Sequence, residues 1–435
     1  MVNTRAITLK LLKKIHTDKS YSNILLDKTL SEIECSPQEK KFISALFYGV
    51  IERMITLDAV INKFSKVKTN KLDVDVLIIL RMGIYQLLYM DSVPDSAAVN
   101  ESVKLAKKCK NPSLSGFVNG VLRSFIRSDK ELPVGKTETE KLSVLYSCPE
   151  WLVDKWISEY GKEITNSMLE SSIGKAPVTI RLNTLKAKAS EIITLLESDG
   201  FKLEETFLEN CYRISGGVAV ENSKAYKLGL FYVQDISSQL CSLSLDACEG
   251  ETVIDVCAAP GGKTFTTAIK MNNKGSVYSL DLHENRVKLI KDGAERLGLT
   301  NVITMANNAK VFNDNLPMAD RVLCDVPCSG LGVIRRKPEI KYKNPEDFER
   351  LSEIQYEILV TSSKYLKSGG ILVYSTCTLS KAENEDIINR FLKEHSDFTG
   401  VAVNSNYDEL SDYCATIIPE YFNSDGFFIA KFKRN

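Results

Sequence analysis

The sequence predicts a multidomain protein with an all-α amino-terminal domain, a small α+β middle module and a carboxyl-terminal α/β domain with a doubly wound, Rossmann-like sheet. At 435 residues the chain is too long for one compact core, because single cores stop growing beyond roughly 250–300 residues. Apolar residues recur at helical spacing through residues 1–130. From Thr252 onward, short apolar runs alternate with helical segments, which is typical of a parallel sheet covered by helices.

The composition is that of a soluble globular protein, with 44% hydrophobic and 26% charged residues. The apolar runs are far shorter than a membrane span and the amino terminus carries scattered charge, so we expect a cytoplasmic protein without membrane contact. Eleven cysteines at irregular spacing argue against a disulfide framework. The three histidines are isolated and complete no zinc site, so we expect no metal.

Charge is unevenly distributed although the net charge is zero. Residues 1–130 contain 21 Lys and Arg against 13 Asp and Glu, a positive surplus of eight. Such a basic region on a neutral protein is compatible with binding to a polyanion. A solvated basic surface without a partner explains the charge equally well.

Four amphipathic segments predict helices in residues 1–130. They are Thr4–Lys14, Glu39–Asn62, Val74–Tyr89 and Ala97–Lys108. Ser36 and Pro37 have the side chains preferred at an N-cap and at the first helical position. No catalytic spacing occurs in this region, so we predict a binding domain.

Residues 131–147 are polar and predict a linker. The middle module is predicted over residues 148–245, starting with a helix that ends near Gly161. Alternating residues after Val178, a helix at Ala189–Glu197 and strands near Ile214 and Val233 give it an α+β character.

Residues 246–435 form the predicted α/β domain, whose buried strands end in polar residues. Its predicted elements are strand Thr252–Asp255, strand Ser276–Leu280, helix Glu284–Leu297, strand Val302–Met305, strand Arg321–Cys324, helix Pro345–Leu366, strand Ile371–Tyr374, helix Lys381–Lys393 and a terminal hairpin over Pro419–Phe432. Ligands of open α/β sheets bind at the carboxyl ends of the strands. We therefore expect the site where Asp255, Asp281, Asp325 and Cys377 follow their strands.

The loop Cys257–Thr264 allows two interpretations. It matches the phosphate loop of NTPases except that Cys257 replaces the first Gly, on which the tight phosphate-binding turn depends. Asp281 ends the second strand where dinucleotide folds place a carboxylate on ribose hydroxyls. We therefore favour S-adenosylmethionine as the cofactor, and the NTPase interpretation is the weaker of the two.

One acid and two thiols fit a specific reaction on this cofactor. Cytosine C5 is a poor nucleophile, and a thiolate that adds to C6 converts C5 into an enamine carbon able to take a methyl group. A second thiol can assist release, and an acid at the pyrimidine edge can stabilise the adduct. Asp325, Cys328 and Cys377 supply these groups, although either cysteine alone could be a buried structural residue.

Residues 1–130 resemble the helical RNA-binding domain of the NusB family through Arg81–Tyr89, Asn100–Val103 and Phe117–Leu122. Residues 250–432 resemble the RNA cytosine-5 methyltransferases, and the NusB-like region narrows the resemblance to the Sun (RsmB) group. The matching motifs are Asp255–Thr264, Asp325–Gly330, Tyr374–Cys377 and Asp425–Phe428. This resemblance implies a monomeric class I methyltransferase that modifies a cytosine-967 type site in 16S ribosomal RNA.

The resemblance also implies roles for residues of this chain. Cys377 would be the nucleophile and Cys328 the thiol that assists release, with Asp325 and Lys263 at the reacting site. The cofactor would be held by Cys257, Ala258, Ala259, Pro260, Gly261, Gly262, Lys263, Asp281, Asn308 and Asp325. The RNA side of the cleft would be formed by Arg181, Asn183, Gln234, Asp235, Arg335 and Arg336. Asn308 departs from the family pattern, which has an Asp there, so its contact with the adenine carries no charge.

Two alternatives stay open. A tRNA cytosine-5 methyltransferase would keep every catalytic residue, and only the NusB-like domain argues for ribosomal RNA. A non-catalytic, antitermination-like RNA-binding protein would not need Cys328 and Cys377.

Overall fold

The computed structural model describes residues 3–18, 22–404 and 406–435. The chain forms two compact units. The first comprises Met1–Ile173 with Lys337–Lys343, and the second comprises Gly174–Arg336 with Asn344–Asn435. Among the described residues, no helix is long and apolar enough to cross a membrane.

The first unit is all-helical, as predicted. Its helices are α1 (Thr4–Asp18), α2 (Ser22–Glu32), α3 (Pro37–Glu52), α4 (Met54–Phe64), α5 (Val74–Tyr89), α6 (Asp95–Ala106), α7 (Leu114–Arg127), α8 (Glu138–Tyr146) and α9 (Glu150–Ser171), with 3₁₀ turns at Thr69–Lys71 and Pro338–Tyr342. Ser36 caps α3 in a capping box with Glu39, and Pro37 begins the helix, as predicted. The core of the unit contains Leu46, Phe47 and Phe125, all fully buried.

Two sequence-based expectations in this unit were wrong. The segment predicted as one helix over Glu39–Asn62 is broken at Arg53. The predicted linker contains α8, which Thr137 caps through a capping box with Glu140. The polar composition predicts a linker here because the helix carries only a weak apolar face. In α9 the helical backbone is interrupted at Gly161, where φ is +78°.

The segment Lys337–Lys343 belongs to the helical unit although it lies late in the chain. Lys341 is only 1% exposed, and its Nζ donates to the carbonyl of Glu52 at 2.8 Å. The Tyr342 hydroxyl donates to the same carbonyl at 3.2 Å. This segment therefore completes the fold of the helical unit.

The second unit begins with a four-stranded antiparallel sheet in the order β2-β3-β1-β4. Its elements are β1 (Val178–Leu182), α10 (Ala189–Ser198), β2 (Phe201–Glu205), β3 (Cys211–Gly216), α11 (Lys224–Lys227), β4 (Phe231–Val233) and α12 (Ile236–Ser244). This confirms the α+β character of the middle module. The compact units divide the chain after Ile173, whereas the sequence placed the start of the module at residue 148.

The rest of the second unit is built on an eight-stranded mixed sheet, which confirms the predicted α/β fold. Its elements are β5 (Thr252–Asp255), α13 (Gly262–Lys270), β6 (Ser276–Asp281), α14 (Glu284–Leu297), β7 (Val302–Ala306), β8 (Ala319–Asp325), α15 (Leu351–Ser363), β9 (Leu366–Thr376), α16 (Glu385–Glu394), β10 (Phe398–Gly400), β11 (Cys414–Ile417), α17 (Pro419–Phe422) and β12 (Phe427–Arg434). The order is β10-β12-β9-β8-β5-β6-β7, with β11 beside β12. Strands β5 to β9 run parallel, and β12 is antiparallel to its neighbours.

Several predicted elements of this domain have other bounds; β9, for example, begins at Leu366 and not at Ile371, and α16 begins at Glu385 after a 3₁₀ turn over Lys381–Glu383. The helix predicted over Pro345–Leu366 spans only Leu351–Ser363. A 3₁₀ turn over Pro345–Phe348 precedes it, and it ends before Leu366, which pairs with β8 as the first residue of β9. The predicted terminal hairpin lies earlier than expected: β12 pairs with β11, and α17 lies between them. The apolar alternation of Ala415 and Ile417, both buried, was the signal for β11 that the prediction missed.

The sheet brings the carboxyl ends of β5, β6, β8 and β9 to one edge. β5 lies between β6 and β8, so the strand order reverses on either side of it. Ligands of doubly wound sheets bind at such a switch point.

Candidate active site

The loop after β5 brings the backbone close to the start of α13. Ala258 donates its N–H to Leu280 in β6 at 2.7 Å, and Gly261 donates to Ala258 at 2.8 Å. Gly261 has φ +111°, and a Cβ there would lie 2.4 Å from the Phe265 ring, so only Gly fits. The loop and the helix start thus offer small side chains and backbone donors for an anionic or polar ligand.

Asp255, at the end of β5, is buried and bonds the start of α13. It is 1% exposed and accepts a hydrogen bond from the Thr264 hydroxyl at 2.8 Å. Burial raises the pKa of Asp255 to about 7. Its position under the loop makes it a structural residue of the site.

Asp281 ends β6 as predicted, and its carboxylate is held in place by two donors. The N–H of His283 donates to it at 3.3 Å, and an Arg286 nitrogen lies 3.3 Å from Oδ2. Arg286 also donates to the Ala259 carbonyl at 3.0 Å. Asn308 is exposed beyond β7, and its side chain accepts from the N–H of Lys310 at 3.1 Å.

Lys263 and Asp325 form an ion pair. Lys263 lies in α13, which follows β5, and Asp325 ends the neighbouring strand β8. The Lys263 Nζ donates to Asp325 at 2.7 Å, and the Ser375 hydroxyl donates to the other carboxylate oxygen at 2.8 Å. Burial alone would lower the pKa of Lys263, but the charge of Asp325 and its hydrogen bond raise it overall. Lys263 is therefore a cation at neutral pH.

The two thiols predicted to share the site lie in direct contact. The sulfur atoms of Cys328 and Cys377 are 3.3 Å apart. The contact with Cys377, followed by burial, raises the pKa of Cys328 well above the ordinary value of a thiol. Cys328 therefore keeps its proton at neutral pH, and either sulfur of the pair can be the donor in this contact.

A cleft of about 330 Å³ opens over Lys263, Asp325 and Cys377, whereas the predicted site residues Cys328, Asp281 and Asn308 do not line it. The predicted residues that line it are Gln234, Asp235, Ala258, Ala259, Pro260, Gly262, Lys263, Asp325, Arg336 and Cys377. Asp425 and Phe427 also line the cleft, and the Lys263 Nζ lies 5.1 Å from the centroid of the Phe427 ring. In the sequence, Asp425 and Phe427 stand out only as part of the Asp425–Phe428 motif. The signal that could have placed them was an Asp-Gly pair at the start of an apolar strand.

Some residues expected on the RNA side are engaged within the protein. Arg336 binds both carboxylate oxygens of Asp425 at 2.6 and 2.7 Å and Asp235 at 2.9 Å. Burial and the neighbouring Asp235 raise the pKa of Asp425. Arg335 donates to the side chain of Asn423 and to the carbonyl of Lys175.

Arg181 and Asn183 do not reach the cleft. Arg181 is 9% exposed and donates to the Gln239 side chain at 3.1 Å. Asn183 is fully buried and donates to the carbonyls of Gly229 and Leu297. Both side chains tie neighbouring segments of the second unit together in this structure.

The strand order and the strand-end site define the class of protein, a class I methyltransferase. Three family models match the chain: the NusB family over residues 2–127, the RsmF/B-like ferredoxin-like domain over residues 148–221, and the 16S rRNA methyltransferase RsmB/F over residues 242–433. The chain belongs to the RsmB/F methyltransferase family.

Full-length relatives support this assignment. The chain is 38% identical over 448 residues to a probable ribosomal RNA small subunit methyltransferase B of Bacillus subtilis (strain 168), with 99% of each chain covered. It is 35% identical to a similarly described protein of Synechocystis sp., with 100% of each covered. The crystal structure of PH0851 matches 100% of this chain and 99% of its own, with 28% identity and a TM-score of 0.82.

Proposed function

We propose that this protein transfers a methyl group from S-adenosylmethionine to C5 of a cytosine in 16S ribosomal RNA, at the cytosine-967 type site, through a covalent adduct between Cys377 and C6. The sulfur contact of 3.3 Å between Cys328 and Cys377, beside the Lys263–Asp325 pair, carries the proposal. Two paired thiols beside an ion pair have no evident use in a protein that only binds RNA.

The residues after β5 and β6 suit S-adenosylmethionine. Residues 257–262 offer backbone donors and small side chains, and the Asp281 carboxylate offers acceptors for ribose hydroxyls. The exposed Asn308 side chain would lie at the adenine. The cofactor, when bound, supplies the electrophilic methyl group that the activated C5 takes up.

Cys377 acts as the nucleophile in the first half of the reaction. Its thiolate adds to C6, and the electron pair of the C5–C6 double bond becomes available at C5. Asp325 lies at the pyrimidine edge, where its carboxylate can accept a hydrogen bond from the ring. Lys263 holds Asp325 in place, and its remaining ammonium N–H groups can donate to the ring as the ring gains electron density.

Cys328 acts in the second half. The C5 proton passes to water in the cleft, and the C–H electron pair restores the C5–C6 double bond as the bond between C6 and the Cys377 sulfur breaks. The S–H of Cys328 donates a hydrogen bond to the departing thiolate, which makes it a better leaving group. The target base must also leave its stack to reach these residues.

The test is to map 5-methylcytosine in total RNA of cells that lack this protein. We expect loss at one position of 16S ribosomal RNA, restored by the wild-type gene and not by Cys377→Ala. Loss at a tRNA position would replace ribosomal RNA by tRNA as the substrate. No lost 5-methylcytosine at all would refute the proposed chemistry.

A further inference from the structure

Two consecutive residues between β9 and α16, Glu383 and Asn384, lie beneath the loops that carry the thiols. They are 3% and 0% exposed. The Tyr374 hydroxyl donates to the backbone carbonyl of Glu383 at 2.7 Å and fixes this turn to the sheet. Neither residue touches the cleft, so their polar side chains are buried for another reason.

Glu383 holds the peptide group after Cys328 directly and the one before it through Gln355. Its carboxylate accepts the backbone N–H of Ser329 at 2.9 Å. The same oxygen accepts from the Gln355 side chain at 2.9 Å, and Gln355 also donates to the carbonyl of Pro327 at 3.0 Å. The loop after β8 has no strand partner at this point, so these bonds decide where Cys328 lies.

Asn384 bonds the residues on both sides of Cys377. Its side chain accepts from the Thr376 hydroxyl at 2.6 Å and donates to the carbonyl of Thr378 at 3.0 Å. The hydroxyls of Ser329 and Thr378 lie 2.7 Å apart and join the two loops. One dipeptide therefore holds the loops of both thiols, whose sulfur atoms meet within 3.3 Å although the residues lie 49 positions apart in the chain.

The charge of Glu383 acts on the same thiol. The pKa of Cys328 is raised first by its contact with Cys377, then by burial, and further by the negative charge of Glu383. A buried carboxylate beside Cys328 disfavours its thiolate, because like charges repel strongly in a medium of low dielectric constant.

We propose that Glu383 is a positioning residue that holds Cys328 against Cys377 as a neutral thiol, ready to donate its S–H during release. The inference rests on the proposed function and assigns a role to a residue that does not touch substrate or cofactor. Glu383→Gln is the informative change, because it keeps an acceptor for the Ser329 N–H and removes the charge. Glu385→Gln is the matched control, since that side chain bonds Thr416 and lies apart from the thiol loops.

We expect Glu383→Gln to bind the cofactor and to complete its first methyl transfer as the wild type does. Release of the RNA should then be slower on the order of tenfold, because a charge-assisted hydrogen bond is replaced by a weaker neutral one. Protein covalently linked to RNA should accumulate on a denaturing gel, and not with Glu385→Gln. Alkylation of Cys328, followed by peptide mass spectrometry against pH, should begin at lower pH in Glu383→Gln. Glu383→Asp, which keeps the charge, should retain the wild-type alkylation profile.

Wild-type release together with an unchanged alkylation profile in Glu383→Gln would overturn the inference. So would an equal loss of cofactor binding and melting temperature in Glu383→Gln and Glu383→Asp, because Glu383 would then be only a structural residue. Cys328→Ala serves as the reference in the same assay. If Cys328→Ala accumulates linked RNA and Glu383→Gln does not, the role assigned to Glu383 is refuted and the proposed function stands. If neither variant accumulates linked RNA, the proposed release step itself is refuted.

Discussion

The sulfur atoms of Cys328 and Cys377 lie 3.3 Å apart, and each residue follows a strand of the parallel sheet. Cys328 comes three residues after the end of β8 and Cys377 directly after β9. β8 and β9 are parallel neighbours, so their carboxyl ends lie side by side. The contact is therefore a consequence of sheet topology, refined by the buried dipeptide Glu383–Asn384.

Cofactor binding should depend on Asp281. Asp281→Ala is expected to weaken S-adenosylmethionine binding by about 1.5–3 kcal/mol, the range for loss of hydrogen bonds to a charged group. Asp292→Ala is the control, because Asp292 is exposed on α14. Calorimetry measures both. Tight magnesium-dependent ATP binding without a response to S-adenosylmethionine would restore the NTPase interpretation.

The Lys263–Asp325 pair should matter for both stability and rate. Asp325→Asn leaves the Lys263 cation, 14% exposed, without its partner, and we expect a loss of roughly 2–3 kcal/mol in the free energy of unfolding. Methyl transfer should fall on the order of a hundredfold or more. The control is Asp320→Asn, whose ion pair with Lys367 is more exposed and should contribute less than about 1 kcal/mol. Equal effects of the two changes in denaturant titrations and in single-turnover assays would contradict the assigned role.

Lys341 should make the stability of the helical unit depend on pH. Burial lowers the pKa of Lys341 to about 8 from 10.5, so the unfolded chain binds more protons between these values. The contribution of Lys341 to stability should therefore rise from about pH 8 to about pH 10.5, by on the order of 3 kcal/mol.

Lys341→Met removes this dependence, and comparing it with the wild type isolates the effect of Lys341. The comparison is needed because burial raises the pKa of the neighbouring Cys148 to about 12, which gives a dependence of opposite sign in both proteins. The measurement is denaturant unfolding across this pH range. A constant difference between the two proteins would contradict the burial of a neutral Lys341.

The fold was largely predictable because its signals are local. β5 and α14 have the predicted bounds, since apolar runs and helical periodicity determine them directly. The loop residues and both thiols were found because they follow predicted strands. Asp425, Phe427 and Glu383 were not assigned, because their importance depends on which segments meet in space. Arg181 and Asn183 were expected at the RNA side, yet their polar side chains serve buried hydrogen bonds, a use that sequence alone does not distinguish from ligand contact.

The different roles of the two thiols are tested most directly by trapping the enzyme on RNA. Cys377→Ala and Cys328→Ala are incubated with substrate RNA and S-adenosylmethionine and run on a denaturing gel. We expect a stable protein–RNA band with Cys328→Ala, because addition and methylation proceed and only release is impaired, and no band and no methylation with Cys377→Ala. A band in Cys377→Ala alone would exchange the two roles, and no band in either variant, with similar modest destabilisation, would show that both thiols are only structural.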